Sequence, residues 1–293
     1  DFEGSQTKID LNQPFSWYMA STPQGQTEQG MFPEAAQGTG LAYGFNRAKL
    51  SWYRVSEDFY TRSGGNRPTN ISKDEVSQNA VRQVLQQELF PNKDLNNNIN
   101  TSVNVMNLHF LPSMRGPYNY DVAAVPGLSY GVAANGELNE PQSRWGGIMR
   151  KMESTDFEAT NVEYIEFWMM DPFADDPNNP GGDVYFNLGE ISEDILRDGR
   201  KSFENGLPTT ATPVDIDTTV WGRVPKLQSL VNAFDNNADA RQYQDVGYEG
   251  LRDEDERTFF QTNFLERIAS LHGAGSEAYA SAYDDPSSDN FHF

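Results

Sequence analysis

The sequence contains no cysteine, and histidine occurs only three times among its 293 residues. Without cysteine the chain can form no disulfide bond, thiol nucleophile or cysteine-ligated zinc site. The histidines, His109, His272 and His292, match neither HxH nor HExxH spacing. The sequence therefore predicts neither a histidine-based metal site nor a Ser-His-Asp triad.

Basic residues and long apolar runs are also scarce. Lys and Arg total 22 against 43 Asp and Glu, which gives a formal net charge of −21. Such a field repels phosphate, so a nucleic-acid or anionic-membrane partner is not expected. The longest apolar runs fall well short of the roughly 18 residues that a membrane-spanning helix needs. A transmembrane helix is therefore not predicted either.

The acidic residues are unevenly distributed along the chain. Residues 1–150 hold 14 acidic and 12 basic side chains, whereas residues 151–293 hold 29 and 10. The pattern is typical of a solvated acidic face. A calcium-binding surface or one that binds a cationic partner is the alternative interpretation.

Aromatic residues (12%) and turn residues (24 Gly, 16 Pro) indicate a β-rich chain with long loops. Strand patterns occur over residues 100–110, 161–170 and 183–188, with two shorter runs in 41–55. The pattern predicts a mainly β, antiparallel sandwich with helical insertions. We expect one domain over residues 1–272, followed by an extended C-terminal segment at 273–293.

The two helical insertions are predicted near residues 72–90 and 253–272. Ser72 and Glu75 have the spacing of a capping box at the start of the first helix. The second has an apolar stripe and a terminal glycine, formed by Phe260, Phe264, Ile268, Leu271 and Gly273.

Carboxylates crowd the loop at 171–183, which also contains two adjacent glycines. Hard oxygen ligands on a flexible loop suit calcium, so the sequence offers as calcium candidates Asp171, Asp175, Asp176 and Asp183. A polar turn is the alternative.

Glu163 and Glu166 face opposite sides of the predicted strand and cannot form a glycosidase pair by themselves. We therefore expect no enzymatic activity.

Long ordered strings of the sequence resemble one protein family. They are DFEGSQTKIDL (1–11), WYMASTP (17–23), LAYGFNRAKLSWY (41–53), ELFPNKD (88–94), RGPYNYD (115–121), RWGGIMRKMESTDFEATNVEYIEFWMMDPF (144–173), YFNLGEISEDILRDGRKSFENGLP (185–208), WGRVPKLQSLVNAFDN (221–236) and QDVGYEGL (244–251). The chain resembles a segment of the SprA/Sov family. This family comprises the giant outer-membrane translocon proteins of the type IX secretion and gliding-motility system.

The resemblance implies a non-catalytic structural and protein-interaction role in protein transport. It implies as partners the rest of the translocon barrel chain, a shuttle-type outer-membrane barrel protein, a plug protein and secreted cargo proteins. It also implies an outer-membrane-associated, cell-surface location. An extracellular cap is favoured, and the periplasmic face or the barrel lumen are the alternatives.

A shorter resemblance links DFEG (1–4) and YIEFWM (164–169) to the jelly-roll sandwiches of carbohydrate-binding modules. It implies a jelly-roll-like, galactose-binding-like sandwich. It adds Asp1 and Glu3 to the calcium candidates, so that structural calcium is a candidate cofactor, and no other cofactor is implied. The alternative function is accordingly a calcium-stabilised carbohydrate-binding module of a cell-surface protein.

Overall fold

The computed structural model describes residues 9–26, 30–61, 66–92, 102–153, 156, 158, 162–201, 215–226, 237–238 and 247–290. Contacts within the chain define two compact units where the sequence predicted one domain. The first unit consists of Asp1–Trp17, Ser51–Leu108 and Arg150–Leu188. The second consists of Tyr18–Leu50, His109–Met149 and Gly189–Phe293.

The strands are short and form two-stranded sheets. They are β1 (Tyr18–Met19), β2 (Ala48–Tyr53), β3 (Asn107–Arg115), β4 (Ala123–Val125), β5 (Ser129–Gly131), β6 (Ile148–Met149), β7 (Ile216–Thr218) and β8 (Arg223–Pro225). β1 pairs with β6, β2 with β3, β4 with β5, and β7 with β8. The first, third and fourth of these pairs are antiparallel. The predicted antiparallel β character is thus present as separate strand pairs.

The helices are equally short. They are α1 (Glu57–Tyr60), α2 (Gln86–Leu89), α3 (Asp253–Phe259), α4 (Glu266–His272) and α5 (Glu277–Asp284), with a π-helix at Gln261–Leu265. Single 3₁₀ turns occur at Pro14–Ser16, Pro33–Ala36, Leu41–Gly44, Glu75–Ser77 and Pro141–Ser143. None of the helices that the structure describes combines the length and apolarity needed to cross a membrane.

The strand predictions are only partly confirmed. β3 begins at Asn107, inside the predicted 100–110 segment, and β2 forms in the second run of 41–55. The strands predicted at 161–170 and 183–188 are wrong, because residues 162–201 contain neither helix nor strand. An extended segment becomes a strand only when its backbone forms hydrogen bonds with a neighbouring segment. The described chain places no such neighbouring strand beside these residues.

The helix predicted near residues 72–90 is not continuous: its start is confirmed, and only α2 at Gln86–Leu89 is α-helical. Ser72 Oγ accepts the Glu75 N–H at 3.2 Å, and the Ser72 N–H donates to the Glu75 carboxylate at 2.7 Å. This capping box leads only into the 3₁₀ turn Glu75–Ser77. Val76 is the one buried residue of 72–90, so an apolar face is not packed and cannot stabilise a helix.

The second predicted helix is confirmed as the succession α3, π-helix and α4. Phe260, Phe264 and Ile268 are buried as predicted, whereas Leu271 is half exposed. Gly273 ends α4 with φ of 91°. The extended C-terminal segment predicted for 273–293 is wrong over Glu277–Asp284, which form α5. Ser276 caps α5 by accepting the Tyr279 N–H at 3.1 Å.

The core of the second unit is an aromatic cluster around Tyr120. Its ring stacks on Phe260 with 4.4 Å between centroids, meets Phe264 edge-on at 5.3 Å, and lies 6.1 Å from Trp221. These four side chains are at most 1% exposed. The cluster fixes the α3–α4 succession against residues 118–121 and thereby positions the acidic group described next.

Candidate functional site

Three carboxyl side chains from separate stretches of the second unit converge on one point. One oxygen each from Glu249, Glu256 and Asp289 can be chosen so that all three lie within 4.8 Å of one another. Glu249 and Glu256 are buried, and Asp289 is half-buried. Carboxylates so close together in a low-dielectric interior repel one another unless protons or a cation compensate their charge.

Close backbone approach holds Glu249 in place. The Arg223 N–H donates to the Glu249 carbonyl at 2.7 Å, and the Leu251 N–H donates to Glu249 Oε1 at 3.2 Å. Gly222 has φ of 151°, and a Cβ there would collide with the Glu249 carbonyl. A Cβ on Gly247 would collide with Asp289 Oδ2 and Glu249 Oε2, so both oxygens face the same point. Glycine is therefore required at these two positions.

Glu256 enters the cluster from helix α3. It lies one turn before Phe260, whose N–H donates to the Glu256 carbonyl at 2.8 Å. Its side chain consequently occupies the same buried stripe as the aromatic residues of the core. Glu256 Oε2 accepts the Ser287 N–H at 3.1 Å, which joins α3 to the stretch after α5.

The stretch after α5 supplies Asp289. Its N–H donates to the Asp285 carboxylate at 3.3 Å, which tightens the turn. Tyr118 bridges Asp289 to the Glu249 loop: its hydroxyl donates to Asp289 Oδ2 at 3.0 Å and accepts the Tyr248 N–H at 2.8 Å. Tyr118 thus makes Asp289 part of the same network.

One buried cation lies near the acidic group without bonding to it. The Arg115 guanidinium donates to the carbonyls of Asn119, Pro286 and Asp285 at 2.5–2.9 Å. It also lies 4.8 Å from the centroid of the Phe264 ring. The charge of Arg115 favours the ionised forms of Glu256 and Asp289, while its hydrogen bonds go to backbone carbonyl groups.

Burial dominates the electrostatics of the three acids. Desolvation, reinforced by the charge of Asp289, raises the pKa of Glu256 to about 7. Desolvation also raises the pKa of Asp289 to about 6. Burial and the charges of Asp289 and Glu256 raise the pKa of Glu249 well above its ordinary value. Near neutral pH the group therefore either retains protons or needs a cation.

The chemistry open to this group is limited by access. Glu249 and Glu256 are 0% and 1% exposed, so a sugar or peptide cannot reach them directly. General acid–base catalysis requires a carboxyl group within hydrogen-bond reach of its substrate. The geometry instead suits proton sharing or a small ion held by oxygen atoms.

The structure does not bring the predicted calcium ligands together. Asp171, Asp175, Asp176 and Asp183 lie on an exposed stretch, and none joins the acidic group that the described residues form. Asp171 Oδ1 accepts the Phe173 N–H at 2.9 Å, and Asp176 Oδ1 accepts the Asn178 N–H at 3.2 Å. These bonds are typical of polar turns.

The remaining two predicted ligands, Asp1 and Glu3, lie outside the described residues. Glu249, Glu256 and Asp289 were not predicted as a site. The one local signal was Glu256, an acid placed four residues before Phe260 on a predicted apolar stripe. Glu249 and Asp289 give no local signal, because their meeting depends on tertiary structure.

No protein-family model matches this sequence, and no curated protein is similar to it at a significant level.

Proposed function

We propose that this chain is a non-catalytic structural and protein-interaction domain of an outer-membrane type IX secretion translocon. The observation that carries the proposal is the stretch of residues 162–188 in the first unit, here named the apolar segment. It exposes large apolar side chains by 36–83%: Tyr164, Ile165, Phe167, Trp168, Met169, Phe173, Val184, Tyr185, Phe186 and Leu188. An accumulation of this size typically marks an interaction surface.

The backbone of the apolar segment adds a second indication. Within the described chain, residues 162–170 take part in no sheet, and neither do residues 183–188. Among their apolar side chains, the ring centroids of Phe167 and Phe186 lie 5.4 Å apart, and Trp168 lies 6.3 Å from Phe90 outside the segment. Extended segments outside any described sheet, with exposed apolar side chains, fit the addition of further strands.

The occupant we propose is extended polypeptide of the rest of the translocon barrel chain. Paired in this way, 162–170 and 183–188 would become strands of the jelly-roll-like, galactose-binding-like sandwich that the shorter resemblance implies. The resemblance of 144–173 and 185–208 to the SprA/Sov family supports this choice of partner. The shuttle-type barrel protein, the plug protein and the secreted cargo are the further partners, at the cell-surface side of the outer membrane.

The test is a triple substitution, Tyr164→Ser, Phe167→Ser and Trp168→Ser, in the full-length translocon protein of the source bacterium. We expect loss of type IX cargo from the culture medium and loss of gliding, because the extended polypeptide of the barrel chain can no longer bind the apolar segment. Phe15→Ser is the matched control, since Phe15 is fully exposed in the first unit but lies outside the apolar segment. Normal secretion by the triple variant, at wild-type protein levels, contradicts the proposal.

A calcium-stabilised carbohydrate-binding module is the second candidate function. The exposed rings of Tyr164, Trp168 and Tyr185 favour it, because aromatic faces stack on sugars. These rings lie on backbone that forms no sheet, so the rigid platform usual for such modules is not built by the described residues. Saturable glycan binding by the purified chain, lost in Trp168→Ser, would favour this candidate over the first.

A further inference from the structure

We propose that Glu249, Glu256 and Asp289 form a calcium site that ties the C-terminal stretch to the core of the second unit. Proximity of acids is not sufficient for such a site, and a separate observation indicates the ligand. Glu249 is 0% exposed, yet within the described chain nothing donates to its Oε2 atom when the neighbouring acids are ionised. A buried carboxylate oxygen without a donor is an unsatisfied acceptor unless something else binds it.

The unpartnered oxygen is directed at the other acids. Glu249 Oε2 and Asp289 Oδ2 both face the point where a Cβ of residue 247 would stand. Glu249 Oε1 is already engaged by the Leu251 N–H, which fixes the carboxylate plane. Glu256 is fixed in the same way through Ser287, and Asp289 through Tyr118. The protein thus already holds Glu249 Oε1, Glu256 Oε2 and Asp289 Oδ2. Glu249 Oε2, beside Asp289 Oδ2, is left for a cation to bind.

The local charge also fits a divalent ion. Three carboxylates face one neighbouring guanidinium, that of Arg115, and Asp285 contributes its charge to the surroundings of Arg115 and Asp289. Among the described residues, Tyr118 and Tyr120 also lie near the acids, and burial raises the pKa of both well above its ordinary value, so both stay neutral. A divalent cation therefore offsets most of the negative charge that the three acids and Asp285 leave beside Arg115.

The donor set indicates which divalent ion. All donors are carboxylate or phenol oxygens, which hard cations prefer, whereas copper and zinc favour nitrogen or sulfur. Calcium tolerates irregular sets of about six to eight oxygens, and bidentate carboxylates with water can complete such a set. Magnesium demands a near-ideal octahedron and releases its water reluctantly. We therefore assign the site to calcium, independently of the proposed function.

The experiment uses the purified chain, stripped with EDTA and returned to chelator-free buffer at pH 7.5. Calcium binding is measured by calorimetry. Terbium serves as a luminescent substitute, because the Tyr118 hydroxyl donates directly to Asp289 and its ring can sensitise the ion. We expect one calcium per chain and a thermal midpoint that rises with calcium.

The decisive variant is Glu249→Gln, which keeps the side-chain shape and mimics the protonated acid, so the fold should persist. We expect at least tenfold weaker calcium binding and loss of tyrosine-sensitised terbium emission. Asp289→Asn is a second variant with the same expectation. Glu254→Gln is the matched control, since Glu254 is an exposed acid on helix α3, which also carries Glu256.

A second control separates this site from the exposed loop. Asp175→Asn combined with Asp176→Asn should leave binding unchanged. Loss of binding in this double variant together with normal binding in Glu249→Gln would overturn the proposal and assign the ion to the loop. Absence of calcium binding at millimolar concentration in the wild-type chain would also overturn it, and the acids would then be compensated by protons.

Discussion

The two units place polar and apolar groups in opposite ways. The apolar segment of the first unit exposes aromatic side chains such as Trp168, which is 64% exposed. The second unit buries carboxylates and guanidinium groups, including Glu249, Glu256 and Arg144. Each arrangement is unfavourable by itself, because apolar surface favours burial and buried charge favours compensation. The comparison suggests that the first unit needs a protein partner and the second needs an ion or protons.

Buried charge is not uniform within the second unit. Arg144 donates to Asp121 at 3.1 Å, to the carbonyls of Phe45, Gly131 and Asn139, and to the Asn46 side chain. Asp121 also accepts from Ser129 and the Gly131 N–H. This ion pair is saturated by hydrogen bonds, whereas the acidic group around Glu249 is not.

The largest expected effect comes from breaking that ion pair. Arg144→Met should lower the free energy of unfolding by about 3–5 kcal/mol, because Asp121 would remain buried and uncompensated. Arg82→Met in the first unit is the matched control. Arg82 pairs with Glu88 on the surface at 2.8 Å, so we expect about 0–1 kcal/mol. Urea denaturation measures both, and equal losses would refute the contrast between buried and exposed charge.

The next effect concerns pH in the presence of chelator. Because the pKa values of Glu256 and Asp289 are raised to about 7 and about 6, the folded state binds more protons than the unfolded chain above pH 4. The stabilising contribution is complete below the unfolded pKa of about 4 and is lost as pH rises through 7.

We expect the free energy of unfolding to fall by about 2–4 kcal/mol between pH 5 and pH 8 in EDTA. Glu256→Gln should reduce that fall, since glutamine does not titrate, while Glu254→Gln should leave it unchanged. Chemical denaturation across this pH range is the measurement. A stability that rises toward pH 8 in EDTA would contradict the assigned pKa directions.

The smallest effect on stability is expected from the apolar segment. Trp168→Ser should change the free energy of unfolding by less than about 0.5 kcal/mol, because the ring is mainly exposed in the free chain. It should, however, reduce self-association at high protein concentration, as measured by light scattering. Phe15→Ser, outside the segment, should reduce it less. A large destabilisation by Trp168→Ser would show that the ring is part of a core.

Local patterns predicted local structure well in this chain. The Ser72–Glu75 capping box forms with both hydrogen bonds, and the stripe of Phe260, Phe264 and Ile268 is buried on a helix. Where a pattern needed a distant partner, the prediction was wrong. The strands predicted at 161–170, which is apolar on both faces, and at 183–188, which alternates, lack neighbouring strands among the described residues.

The acidic group illustrates the same dependence on tertiary structure. Four acidic residues follow one another at 253–256, and Glu254 is exposed, yet Glu256 is 1% exposed. Helical periodicity places Glu256 on the Phe260 stripe, and this could have been read from spacing alone. The convergence of Glu249 and Asp289 could not, because it depends on how loop 247–251 and the stretch after α5 pack on α3.

The most direct test of this account is amide hydrogen exchange of the wild-type chain at pH 8, with calcium and with EDTA. We predict that calcium slows exchange selectively at residues 247–259 and 285–290, including the Leu251 and Ser287 amides that donate to the acids. Residues 162–170 should exchange rapidly in both conditions, since they form no sheet in the free chain. Identical exchange at 247–259 and 285–290 with calcium and with EDTA would contradict the account.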